Sequence, residues 1–60
     1  MYRLVVYTKY GCVRKHIYGD YDTLDYNATM CRFNLNIAKA FGYKLTWKGW
    51  KPLISIVNIY

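Results

Sequence analysis

Apolar, aromatic and β-branched residues crowd two short stretches within the first eighteen positions of the chain. The stretches "YRLVVYTK" (2–9) and "CVRKHIY" (12–18) are rich in β-branched and aromatic residues, which predicts two strands. Tyr10 and Gly11 between them predict a tight turn, with Gly11 able to take positive φ. From residue 23 the period is that of a helix. Leu24, Ala28, Cys31, Leu35 and Ala38 fall on one stripe, and Tyr26, Met30, Phe33, Ile37 and Phe41 on a second. Asp22 is read as the N-cap with Asp25 three residues on, and Lys39 and Gly42 as the closing signals. Together they predict a helix over about 23–41. Alternation appears in "YKLTWK" (43–48), "GWKP" (49–52) predicts a turn, and "LISIVNIY" (53–60) predicts a last strand. That strand is apolar on both faces, which predicts a central place in the sheet.

The expected fold is therefore α+β in the order ββαββ, a single small domain over 1–60, with one helix packed on a four-stranded sheet. Two hairpins joined by a crossover helix most simply set the first and last strands side by side and parallel, giving a mixed sheet of order 2-1-4-3. This arrangement resembles β-grasp domains. In element order and size it is similar to the small immunoglobulin-binding domains of streptococcal cell surfaces. No sequence motif is shared, so the resemblance implies fold alone.

Strand alternation sorts the remaining residues into faces. Leu4, Val6, Val13, Ile17, Leu45, Trp47, Val57 and Ile59 are expected to face the helix. The outer face then collects Arg3, Val5, Tyr7, Lys9, Arg14, His16, Tyr18, Lys44, Lys48, Ile54, Ile56 and Tyr60. The two helical stripes compete for the sheet, and a helix on a single sheet buries one of them. The other, Tyr26, Met30, Phe33 and Ile37, is either the margin of a broad apolar arc or a self-association or second interface, as in a homo-oligomer.

Charge sharpens the picture. Nine lysines and arginines oppose three aspartates and no glutamate, a formal net charge of +6, and the aspartates all lie within residues 20–25. A balance of that sign favours acidic partners, either an acidic protein surface or nucleic acid. With 55% hydrophobic and 20% aromatic residues, the composition is that of a folded chain rather than a disordered one. No apolar run approaches the roughly 20 residues of a membrane span and no secretory signal is evident, so the expected location is cytoplasmic, the host cytoplasm if the chain is viral. Cys12 and Cys31 are read as free thiols.

Catalytic chemistry finds little support. The run D-x-D-x-x-D from Asp20 has Asp25 where a calcium loop needs glycine and Cys31 where it needs glutamate. No nucleophile–base pair or glycine-rich phosphate loop is visible, so no metal, no cofactor and no enzymatic activity are expected. A compact, basic, tyrosine-rich chain without catalytic motifs resembles the small early proteins of bacteriophages. That resemblance implies an inhibitor, a host defence antagonist, docking on an acidic or nucleic-acid-binding surface of a host protein. The expected partner-binding residues are Arg3, Tyr7, Lys9, Arg14, His16, Tyr18, Lys44, Lys48, Trp50 and Tyr60. Trp50 is either an exposed anchor or folded back on the sheet edge. The alternative is direct binding of single-stranded nucleic acid, with cations following phosphates and rings stacking on bases.

Overall fold

The structure, a computed structural model, describes residues 1–58. Ile59 and Tyr60, expected on opposite faces of the last strand, lie outside the described residues. The elements are β1 (Tyr2–Thr8), β2 (Val13–Tyr18), α1 (Tyr21–Arg32), β3 (Ile37–Thr46) and β4 (Gly49–Val57). The α+β class and the ββαββ order hold. The strand arrangement does not: the sheet runs β2-β1-β3-β4, antiparallel throughout, instead of a mixed 2-1-4-3 β-grasp sheet. β4 therefore sits at an edge. Pro52, which has no N–H to give to a ladder, suits that position, and β4 bulges beside it at the register shift between Gly42 and Tyr43.

The helix is shorter than its periodicity suggests and starts earlier. Asp20, in extended backbone, is the N-cap: its carboxylate accepts from the Thr23 N–H at 3.0 Å and the Thr23 hydroxyl at 2.8 Å. Asp22 instead occupies the first turn, beside the positive end of the helix dipole. At the other end the coil tightens. Phe33 N–H donates to Met30 O and Asn34 N–H to Cys31 O, both three residues back. Asn34 then turns the chain by accepting from Asn36 N–H through its side chain at 2.9 Å. Lys39 and Gly42 are consequently not helix-closing residues; both belong to β3, as do Ile37 and Phe41 from the expected second stripe.

The core answers which stripe faces inward. Leu24 and Ala28 from α1 pack with Leu4 and Val6 from β1 and with Ile37 and Ala40 from β3. Gly42 is buried directly beneath the helix: a Cβ there would lie 3.1 Å from Ile54 Cβ and 3.4 Å from Leu24 Cδ1. Its role is close approach of helix to sheet rather than a left-handed cap. The helix thus lies mainly over β3 and β1, with lesser contact to β4 and least to β2. Asn58 ties the end of β4 beneath this unit: its side-chain amide donates to Cys31 O at 3.0 Å and Ile37 O at 2.9 Å, and its N–H to Ala38 O.

Two outcomes are expected. Asn58→Asp, which removes both amide donors at nearly constant shape, lowers unfolding free energy by about 1–3 kcal/mol in a denaturant titration. The hydrogen bonds from Thr23 hold the Asp20 carboxyl below its ordinary pKa. A depressed carboxylate contributes stability above its unfolded pKa and loses it as pH falls through the folded one. Helicity by circular dichroism should therefore decline on acidification below about pH 4, and Asp20→Ser, a cap that does not titrate, should flatten that decline.

Candidate interaction surfaces

Hairpin register decides which side chains share a face. A two-residue turn at Tyr10–Gly11 would pair Tyr7 with Arg14. The structure instead pairs Tyr7 with Val13, Val5 with Lys15 and Arg3 with Ile17. The loop holds four residues, Lys9 to Cys12, with Gly11 at φ +84° and Thr8 N–H donating to Cys12 O at 2.9 Å. One residue of difference turns the whole of β2 over. Arg14, His16 and Tyr18 therefore face the helix side, opposite Val6, Leu4 and Tyr2, while Val13 and Ile17 face outward.

The second hairpin is also shifted. Its turn is Trp47–Lys48, followed by Gly49 at φ +107°, instead of residues 49–52. Thr46 fixes it, its hydroxyl donating to Gly49 O at 2.8 Å and accepting from Lys48 N–H. Trp47, expected on the inner face, stands at the tip, 91% exposed, with Lys48 Nζ 5.0 Å over its ring. Trp50, expected in the loop, lies half-buried on β4 opposite Leu45, which is also outward. Lys44 pairs with Tyr2 and Lys51 and so leaves the sheet on the helix side. Lys9 lies in the first hairpin loop, its N–H donating to Asn36 O.

What remains outward is a compact layer of rings and cations. The Arg3 guanidinium lies 4.4 Å over Trp50 and 5.2 Å over Tyr43. Lys39 Nζ lies 4.9 Å over Tyr7, which meets Phe41 edge-on at 5.9 Å. Val5, between Lys15 and Phe41 in register, is only 6% exposed although no helix covers it. The aliphatic stems and rings shield one another while the charged ends reach water. Arg3 Nε is buried and lacks a hydrogen-bond partner among the described residues. Of the ten residues expected to bind a partner, the outer face thus keeps Arg3, Tyr7 and Trp50. It adds Lys15, through the register of the first hairpin, and Lys39, Phe41 and Tyr43, whose signal was the strict alternation of Lys39, Phe41, Tyr43 and Leu45.

The helix side carries a different surface. Because α1 barely reaches β2, a groove of about 770 Å³ opens between them. Leu4 and Val6 form its floor, and Arg14, His16 and Tyr18 form one wall. The His16 ring stacks on Tyr18 at 6.3 Å. Met30, Phe33 and Leu35 form the opposite rim. Tyr26, Met30 and Phe33 are exposed, as an interaction surface requires; Ile37, expected with them, is buried in β3 and belongs to the core. Cys31 also lines the groove, and burial pushes its thiol pKa up, away from a reactive thiolate. Burial, and secondarily Cys31, raises Tyr18 as well. Among the described residues no group of three or more His, Cys, Asp or Glu could hold a metal ion, and no helix is long and apolar enough to cross a membrane.

The chain matches no protein-family model, no curated protein and no solved structure. The surfaces themselves carry the functional argument.

Arg3→Gln should lose about 1–2 kcal/mol of stability, since it removes cation–π contacts to two rings. In a Trp47→Phe background, where Trp50 is the sole indole and its emission is excited selectively over tyrosine, the same change should increase acrylamide quenching. Unaltered quenching would show that Arg3 does not shield that ring.

Proposed function

We propose that the protein is a non-enzymatic binding module whose open sheet face docks on an acidic protein surface. The observation that carries this reading is the arrangement of Arg3 over Tyr43 and Trp50 and of Lys39 over Tyr7. None of the four strands contains a carboxylate. The aspartates gather at the N-terminal end of α1, where Tyr2 meets Tyr21 and where Lys44, paired with Tyr2, also emerges. They lie on the helix side of the sheet, and among the described residues no acidic side chain stands on the outer face. Val13, Ile17, Leu45 and Val57 flank the cationic layer with exposed apolar surface. Aromatic residues and arginine surrounded by apolar contacts are the usual composition of interface anchors.

The sign of the charge narrows the partner. A groove that binds nucleic acid is itself basic and repels a chain of net charge +6. If the partner is a host protein that handles nucleic acid, as an inhibitor of phage type would require, the docking is to an acidic patch of it.

Interleaved rings and cations on a four-stranded sheet also support a second reading, binding of single-stranded nucleic acid. The protein reading is preferred because the rings are already capped by cations of the same chain, leaving charge and aliphatic surface outermost.

The discriminating experiment is affinity capture from a lysate with and without nuclease, beside a titration of labelled oligothymidine at about 50 mM salt, where nucleic-acid binding through cations is strong. Nuclease-resistant capture of one acidic protein, weakened about tenfold or more by Arg3→Ala and by Trp50→Ala, is expected, a change of at least 1.4 kcal/mol. Tight oligothymidine binding that falls steeply with salt would replace this reading with the second. Capture indifferent to both substitutions would remove the sheet face from the function.

A further inference from the structure

The sheet is wider than its cover. Four strands at about 4.8 Å spacing span about 14 Å between their outer axes, while a helix with its side chains is about 10 Å across. α1 sits over β3 and β1, which leaves β2 about 7 Å to the side of its axis, where a second helix at the usual ~8–10 Å from α1 would rest over it. The rim of that strip is apolar to an extent a finished surface seldom shows: Phe33 is 74% exposed, Leu35 62% and Met30 56%. The wall carries Arg14 and His16, and no carboxylate lines the groove.

We propose that this groove is a second docking site, occupied by an amphipathic α-helix of another protein, with acidic residues in its first turn and antiparallel to α1. The spacing and the exposed apolar rim suit the apolar stripe of such a helix, which is read as anchors at positions i, i+3 or i+4, and i+7. Charge sets the direction. β2 leads into α1 from its Tyr18 end, so Arg14 lies at the opposite end, beside Asn34 and the C-terminus of α1. A helix entering antiparallel brings its N-terminus to that end. Its positive dipole end then meets the carbonyl end of α1, and first-turn carboxylates meet Arg14.

A second copy of this chain fits worse. A two-fold axis that places each α1 in the other's groove, face to face, runs along the helices and leaves them parallel. The two clusters Asp20, Asp22 and Asp25 would then meet at one end, away from Arg14.

The test is a display selection of helical peptides against the full chain, followed by NMR mapping of the enriched peptides on Met30 and Leu35 methyls. The expected result is enrichment of amphipathic sequences with N-terminal carboxylates that shift those methyls. They should lose at least tenfold in affinity with Arg14→Glu and keep it with Arg3→Ala or Trp50→Ala. That last control separates this site from the sheet face, so either can fail alone. Absence of enrichment, enriched peptides that are basic or extended, or peptides that map to Tyr43 and Trp50 would overturn the proposal. So would concentration-dependent dimerisation in light scattering that Phe33→Asp abolishes, since the groove would then be filled by a second copy.

Discussion

Everything on both faces of this protein follows from where Leu24 is seated. It packs over Gly42 and Ala40, two of the three smallest side chains of the central strand β3, and that contact brings α1 close enough to bury Leu4, Val6 and Ile37. A bulkier residue at 42 would meet Ile54 and Leu24 at once, so the helix has one well-fitting position. With a single helix held over β3 and β1, β2 is little covered on that side, and among the described residues no element covers the opposite face of the sheet. The groove and the cationic face are consequences of the same packing decision.

A chain of this size has little apolar area to spare, and it handles its open face by internal shielding. Lysine and arginine side chains lie over the rings and the charged ends remain in water. The face is therefore shielded while unoccupied, and the docking proposed for it would start from side chains already held in place. Side chains held in place before binding lose less freedom on docking, which favours affinity. The groove is different in kind: its exposed Phe33 and Leu35 hang from the turn that ends the helix and are shielded by little. The two surfaces face opposite sides of one sheet and are available at the same time.

Much of the fold was legible from residue pattern. The β1 face assignments and the left-handed Gly11 follow from local period and local sterics, whereas the choice of Leu24, Ala28 and Cys31 as the inward stripe came only from packing on the sheet. The helix end was misread because apolar residues at 33, 37 and 41 continue a helical period while residues 39 to 45 also alternate with period two. Asn34 and Asn36 break that tie by bonding locally to the backbone, a weak signal beside five apolar positions. Once Ile37–Phe41 became strand, β3 was long enough to pair with β1, and the antiparallel order displaced the expected parallel one.

By itself, then, the sequence determined the class of fold, the element order, the basic balance and the confinement of acid to the helix start, because these depend on neighbours in the chain. Only the tertiary structure decided which cations stand together. Arg3 and Lys39 joined Tyr43, Trp50 and Tyr7, whereas Arg14 and His16 went to the other side through one residue of register in a hairpin loop, and Lys44 through the pairing of β3 with β1. A strand's side chains alternate strictly, so that one residue reassigns a whole strand, and loop length in the folded state fixes it where composition is indifferent.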